Sequence, residues 1–158
     1  MTRLTTLFAV VALAVSGCVV APQASGPAPD AAAVVASAPQ GSFLSLLNQF
    51  RAEQGRGGVT QDAALTRAAQ AHAADMAANN YFSHTGLNGS RFTQRARAAG
   101  YGCAMAENIA FGQRSEAQVF ENWVNSSGHR RNMLLSGATE YGLGRTDTHW
   151  VLMLGTGC

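Results

Sequence analysis

Two histidines and one carboxylate, His84, Glu107 and His129, are the residues of this chain whose side-chain types could together make a site. If folding brings them together, two neutral imidazoles and a carboxylate form a donor set for zinc or another divalent metal. Imidazole suits zinc, copper and nickel, and three protein ligands leave a position open for water. Glu107 can enter such a set as a ligand, or it can accept the far N–H of one histidine and fix its tautomer. Without a metal, the same two histidines can hydrogen-bond across a polar cleft and hold its loops. Hydrolysis needs more than this. Metal-bound water is a nucleophile near neutral pH, but the string His72-Ala73-Ala74-Asp75-Met76 lacks the glutamate and second histidine of HExxH, and no G-x-S-x-G elbow occurs. Ser83, Ser126 and Ser127 lie near histidines in sequence, yet a Ser–His pair works only with a third orienting group and an oxyanion hole. Glu107 is the one candidate base, and nothing marks a nucleophile.

The segments that must position these residues read as helices followed by a hairpin. Ser42 can cap a helix carrying Phe43, Leu46, Leu47 and Phe50 at spacings of three and four, ended by Gly55-Arg56-Gly57-Gly58. Thr60 or Asp62 starts a second helix through Asn79, with Leu65, Ala68, Ala69, His72 and Met76 on one side. His72 and Asp75, one turn apart, are expected to form a local pair or a core polar contact. A loop carries Tyr81 to Gly86. Ser90 caps a third helix, Arg91 to Ala98, and extended chain follows around Tyr101 to Met105 and Asn108 to Phe111. A fourth helix, Glu116 to Asn125, presents Val119, Phe120 and Trp123 to a core, and Ser127 caps a short helix through Met133 and Leu134. Two strands, Tyr141 to Arg145 and His149 to Leu154, flank a Thr146-Asp147-Thr148 loop. Helices first and a small antiparallel hairpin last make an α+β fold. Asn108 and Asn132 are expected to hydrogen-bond backbone and shape the cleft. Arg130 is expected in solvent, with Glu140 or an anion as the other partners open to it.

Four strings sit in this frame: Phe82-Ser83-His84-Thr85-Gly86, Ala106-Glu107-Asn108-Ile109-Ala110, the run from Trp123 through Gly128-His129-Arg130 to Leu134, and Glu140-Tyr141-Gly142-Leu143-Gly144. With Ala69 to Ala77 upstream, their order and spacing resemble the bacterial branch of the CAP superfamily (cysteine-rich secretory, antigen 5, pathogenesis-related), across residues 43 to 154. The resemblance implies an α-β-α sandwich with a three-stranded antiparallel sheet between helices. It also implies a cleft of two histidines and two acids, in which His84, Glu107 and His129 match three of the four. The second acid falls near Ser126, which is not an acid, so a mechanism needing the full tetrad loses support. In such domains the histidines contact metal and the acids orient them, and some eukaryotic relatives bind sterols or fatty acids beside the cleft.

The rest of the chain speaks to location. Arg3 followed by the apolar stretch Leu4 to Val15 reads as a signal peptide over residues 1–17, too short to span a bilayer comfortably. It ends in Val15-Ser16-Gly17-Cys18, which resembles a bacterial lipobox with Cys18 as the lipidated residue; ordinary secretory cleavage is the alternative. Residues 18–41 hold all four prolines and a single charge, and read as a flexible tether between lipid and a domain over residues 42–158. Cys103 and Cys158 are then most simply one disulfide in an oxidising compartment, with two free buried thiols as the alternative. The formal charge of +2, all eleven basic residues being scattered arginines, sets nucleic acid aside as a partner. A monomer held to a membrane by its lipid is expected, in the outer membrane if the cell has two, since Val19 rather than aspartate follows Cys18. Three roles fit: a binding module for metal, lipid, small ligand or envelope polymer; a metal-dependent hydrolase of peptides or cell wall; and a structural or host-facing protein with a vestigial cleft.

Overall fold

Every strand of the sheet is short, and one of them is apolar at almost every position, which fixes the layering. The computed structural model describes residues 41–158. The expected signal peptide (residues 1–17), the expected lipidation site Cys18 and all but the last residue of the expected tether lie outside the described residues. Within them run α1 (Phe43–Glu53), β1 (Thr60–Gln61), α2 (Ala63–Ala78), α3 (Phe92–Ala98), β2 (Ala104–Phe111), α4 (Glu116–Asn125), α5 (Ser127–Met133), β3 (Glu140–Thr146) and β4 (His149–Gly155). The sheet order is β1-β3-β4-β2.

The central strand β4 is buried from Trp150 to Gly155. Trp150, Leu152 and Leu154 point into one core with Phe43 and Leu47 of α1, Val119 and Trp123 of α4, and Met133 of α5. Val151 and Met153 point into the other, with Leu65, Ala69, Ala73 and Met76 of α2 and Ala96 of α3. A strand covered on both faces loses the alternation of apolar and polar residues and reads as a continuous apolar run. This is the three-layer sandwich that the resemblance implies. The phenyl ring of Phe43 stands edge-on to Trp123, their centroids 5.7 Å apart, and locks α1 to α4.

Local chemistry sets the ends of the elements. The side chains of Ser42, Asp62 and Ser115 accept the N–H groups of Ser45, Leu65 and Gln118 and start α1, α2 and α4. Several boundaries differ from the sequence expectation. The sheet has four strands rather than three, because Thr60 and Gln61 pair in parallel with Glu140 and Tyr141. Two residues carry no periodicity, and the pairing rests on long-range backbone bonds from Thr60 N–H to Thr139 and from Asp62 N–H to Tyr141. Asp62 therefore caps α2, and Thr60 belongs to the sheet. The N-cap of α3 is Arg91 rather than Ser90, and its N–H is held by the Gln94 side chain at 2.8 Å. The two extended stretches are one strand, β2, with an irregularity in register near Ala104. Thr146 pairs with His149, so the hairpin turns on Asp147 and Thr148 alone. Asp147 takes the positive φ of 52° that this tight turn requires.

Cys103 and Cys158 form the disulfide, with Cα atoms 5.9 Å apart. It closes a loop spanning 55 residues, a constraint worth about 4 kcal/mol in the chain-entropy picture.

Helix α2 lies so close to β3 that only glycine fits between them. A Cβ on Gly144 would stand 2.3 Å from Ala69 C and Gln70 N, and one on Gly142 would stand 2.2 Å from Leu65 C. Both obstacles are backbone and cannot swing aside. Gly144→Ala is expected to lower unfolding free energy by about 3 kcal/mol or more. Gly128→Ala in α5, whose Cβ would meet nothing within 4 Å, is expected to raise it by about 0.5–1 kcal/mol. Urea denaturation of the two variants checks both signs.

Candidate functional site

The sheet leaves one edge, β2, open beside the helices, and the site forms there. Alternation along β2 sends Ile109 into the core under α2 and α3 and Ala110 into the core under α4 and α5. Glu107 shares the parity of Ile109, and Asn108 that of Ala110. The two polar residues of the string therefore serve opposite faces, and both are buried.

Glu107 has a side chain only 1% exposed, and both of its oxygens are occupied. Oε1 is 2.9 Å from Nδ1 of His84, and Oε2 accepts Nη2 of Arg95 at 2.7 Å. Arg95 comes from α3 and does more than neutralise the carboxylate. Its Nη2 also donates to the carbonyl of His84 at 2.9 Å and its Nη1 to that of Ser90 at 2.6 Å. One guanidinium thus ties Glu107 to both ends of the loop that carries His84. His72 on α2 completes the anchorage, its Nε2 lying 2.9 Å from the carbonyl of Ser83.

His84 itself is 56% exposed at the side chain. With Nδ1 held by Glu107, its Nε2 is left for the cleft. His129 reaches the same cleft from α5. Its Nδ1 is buried and makes no hydrogen bond among the described residues, which leaves Nε2 as its open nitrogen. Burial, and then the neighbouring His84, hold the His129 pKa below the usual histidine value, so the ring favours its neutral form. Asn108 positions this helix by donating to the His129 carbonyl at 3.1 Å. Asn132 donates to Asn108 Oδ1 at 2.8 Å and to the Glu107 carbonyl at 3.3 Å, linking α5 to the strand edge.

The cleft between the histidines has a volume of about 600 Å³, and Phe82, Phe111, Gln113 and Asn122 share its walls with His84 and His129. Phe82 and Phe111 are 52% and 58% exposed, and their rings meet at 6.3 Å on the rim. A second hollow of about 440 Å³ lies on the other side of His84, toward Met105 and Asn132. Ser126 lines neither. It is the hinge residue between α4 and α5, and its hydroxyl makes no capping bond. No acid replaces the one missing from the tetrad there.

As a metal site, the donor set consists of two imidazole nitrogens. Among the described residues, no group of three or more His, Cys, Asp or Glu side chains is placed to hold an ion. The residues fit a cation whose other positions are filled by water or ligand, and they do not fit a closed structural zinc site.

Arg95 is the functional residue that sequence reasoning missed. Its only signal was a place three residues after Phe92, on the inward side of a short helix. His72 and Asp75 do not pair with each other. His72 takes the Ser83 carbonyl, and Asp75 takes the Tyr81 hydroxyl and the Asn79 amide. Arg130 is not free in solvent, nor does it meet Glu140. It stacks 4.7 Å above the ring of Phe50 and donates to Gln54, while Glu140 accepts the Tyr101 hydroxyl at 2.6 Å.

Removing Arg95 strands a buried carboxylate. Arg95→Gln is expected to cost about 3 kcal/mol of stability, and Glu107→Gln in the same chain is expected to recover much of that. A double-mutant cycle by chemical denaturation measures the coupling. The buried histidines set the pH response. Burial is the main cause holding both His72 and His129 below the ordinary histidine value of 6.5. The unfolded chain therefore takes up protons first as pH falls, and stability present above pH 6.5 is lost as pH drops toward the folded values. Unfolding free energy is expected to decline between about pH 7 and pH 5, with a shallower slope in His72→Asn.

Comparison with known proteins agrees with this fold. Residues 44–149 match the cysteine-rich secretory protein family, CAP. The chain is 35% identical over 114 residues to YkwD of Bacillus subtilis, covering 71% of this chain and 44% of that protein. Against the Bacillus subtilis membrane protein YlbC it is 33% identical over 103 residues, 65% of this chain and 30% of YlbC. The chain thus spans less than half the length of either relative. Among solved structures, an extracellular protein containing an SCP domain from Bacillus anthracis superposes with a TM-score of 0.69 at 28% identity, over 72% of this chain and 38% of that one. An outer surface protein from Borrelia burgdorferi shares the fold, with a TM-score of 0.66 at 21% identity, over 73% of this chain and 90% of that one. The chain belongs to the cysteine-rich secretory protein (CAP) family.

Proposed function

We propose that this domain is a binding module of the cell envelope, held to a membrane through lipid on Cys18, whose cleft takes a ligand without turning it over. The observation that carries the reading is the saturation of Glu107. With one oxygen on His84 and the other on Arg95, its carboxylate is not left to act as a general base. Ser83 lines the cleft, but its hydroxyl accepts the Thr85 N–H at 3.0 Å and bonds to neither histidine. It is not set up as a nucleophile.

What remains suits recognition. His84 and His129 offer ring nitrogens to the cleft, able to hold a divalent cation between them or to hydrogen-bond a ligand directly. A bound cation would supply a Lewis-acidic anchor for a ligand oxygen. Phe82 and Phe111 offer apolar area on the rim, which suits a lipid or the apolar face of an envelope polymer. Export is supported by two structural neighbours described as an extracellular and an outer surface protein, together with the lipobox-like string ending in Cys18. None of the described helices is long and apolar enough to cross a membrane.

Zinc titration by calorimetry tests the cleft. One-to-one binding is expected, lost in His84→Ala and His129→Ala with the fold intact by circular dichroism. Glu107→Gln is expected to weaken it roughly ten-fold, by loosening His84. Absence of binding in the unaltered chain would remove the metal from this reading, and peptide or cell-wall turnover that depends on both histidines would replace it with a hydrolase.

A further inference from the structure

A concave site of about 480 Å³ lies at α5, apart from the cleft residues, and Arg56, Arg130 and Arg131 wall it together with Ser127 and Ser136. Behind it stands a fully buried guanidinium, that of Arg51. Arg51 donates to the carbonyls of Gly57 at 2.7 Å, Met133 at 2.7 Å, Leu135 at 3.1 Å and Ala138 at 2.9 Å. All four acceptors are neutral. They engage four of its five N–H groups and pin the chain beyond α5, but they leave its charge without a counter-ion among the described residues.

The walls of the site add positive charge and no negative charge. The two ion pairs among the described residues both involve Glu107, and neither reaches Arg51, Arg56, Arg130 or Arg131. Arg56 lies near enough to Arg51 for its charge, after burial, to hold the Arg51 pKa down. Arg130 is already ordered, stacked on Phe50 and bonded to Gln54 through Nη2. Its remaining N–H groups therefore approach a ligand with little rotamer freedom left to lose. A buried cation is ordinarily matched by an anion. Arg51 does not itself line the pocket that the other three arginines face, but it holds the carbonyl of Leu135, which does.

The donors define what fits. Guanidinium forks match phosphate geometry, and two hydroxyls add donors for further oxygens. A phosphate group has enough acceptor oxygens to meet several such donors at once, whereas a carboxylate has two. We propose that Arg56, Arg130 and Arg131, with Ser127 and Ser136, form a binding site for a phosphate group, either free or carried on a phospholipid headgroup. The site is independent of the histidine cleft and of whether that cleft binds metal.

The test is a titration of the purified full chain, in non-ionic detergent at low ionic strength, with inorganic phosphate and then with dihexanoylphosphatidylglycerol below its micelle concentration. Amide shifts are followed by NMR. Saturable shifts at Ser127 and Ser136 are expected, absent with chloride at matched ionic strength. Arg56→Gln and Arg131→Gln, exposed residues whose loss leaves the fold unchanged by circular dichroism, should each weaken binding about ten-fold. Arg97→Gln, an exposed arginine on α3, should not weaken it. Tighter binding of the phospholipid, with shifts reaching Leu134 and Leu135, assigns the site to headgroups; equal or weaker binding assigns it to free phosphate. Shifts that never saturate, or an equal loss in Arg97→Gln, would overturn the proposal.

Discussion

Placing a carboxylate on a sheet edge and then excluding water from it is the constraint around which this domain is arranged. An uncompensated ion with 1% of its side chain exposed is too costly to persist. Compensation for Glu107 has to arrive from elsewhere in the chain, and it recruits three segments. Helix α3 brings Arg95, although at seven residues it is too short to be stable alone. The loop after α2 folds back to bring His84, and α2 supplies His72 to hold Ser83. The same guanidinium that neutralises the carboxylate holds the loop carbonyls at His84 and Ser90. Charge compensation and loop ordering are thus one set of bonds, and a change in either is felt by both.

That arrangement needs β2 to be firmly placed, and an edge strand is ordinarily the least constrained part of a sheet. Here the strand is fixed at its start by the disulfide from Cys103, the residue before it, to Cys158. Along its length it pairs with β4 from Ala104 to Phe111, and β4 is gripped by apolar side chains on both faces. Asn108 and Asn132 then fasten α5 to the open side. The far edge is managed differently. The two-residue strand β1 covers β3 there, and the contact of Gly142 and Gly144 with α2 keeps the helix layer flush.

The fold was legible where local pattern and burial agree. The helical face of Phe43, Leu47 and Phe50, the caps at Ser42 and Asp62, and the apolar run of β4 each follow from short-range rules. So did the convergence of His84, Glu107 and His129, though only through resemblance, since nothing local tells a strand glutamate to face a loop histidine. Two things were not legible. The pairing of Thr60 and Gln61 with β3 is a long-range backbone event with no side-chain pattern. The partner of Glu107 was equally hidden, because Arg95 looks like any arginine on a short, mostly polar helix. Its role appears only once the carboxylate is known to be buried. A buried charge implies a counter-charge, but sequence does not say which of several arginines supplies it.

The position of Ser126 shows how this balance shapes the chemistry. With a second acid absent there, the cluster holds one negative charge on Glu107 and one positive charge on Arg95, and is neutral before either imidazole is counted. Burial and the proximity of His84 both oppose a proton on His129. His129 therefore presents a nitrogen lone pair to the cleft rather than a positive charge. Such a nitrogen suits a cation, or a ligand that donates hydrogen bonds. Positive charge collects instead around Arg51, where the acceptors are neutral carbonyls and the flanking arginines are unpaired among the described residues. One helix, α5, carries both environments, His129 toward the cleft and Arg130 and Arg131 toward the second pocket. Within seven residues the sequence Ser-Gly-His-Arg-Arg-Asn-Met separates recognition by lone pairs from recognition by charge.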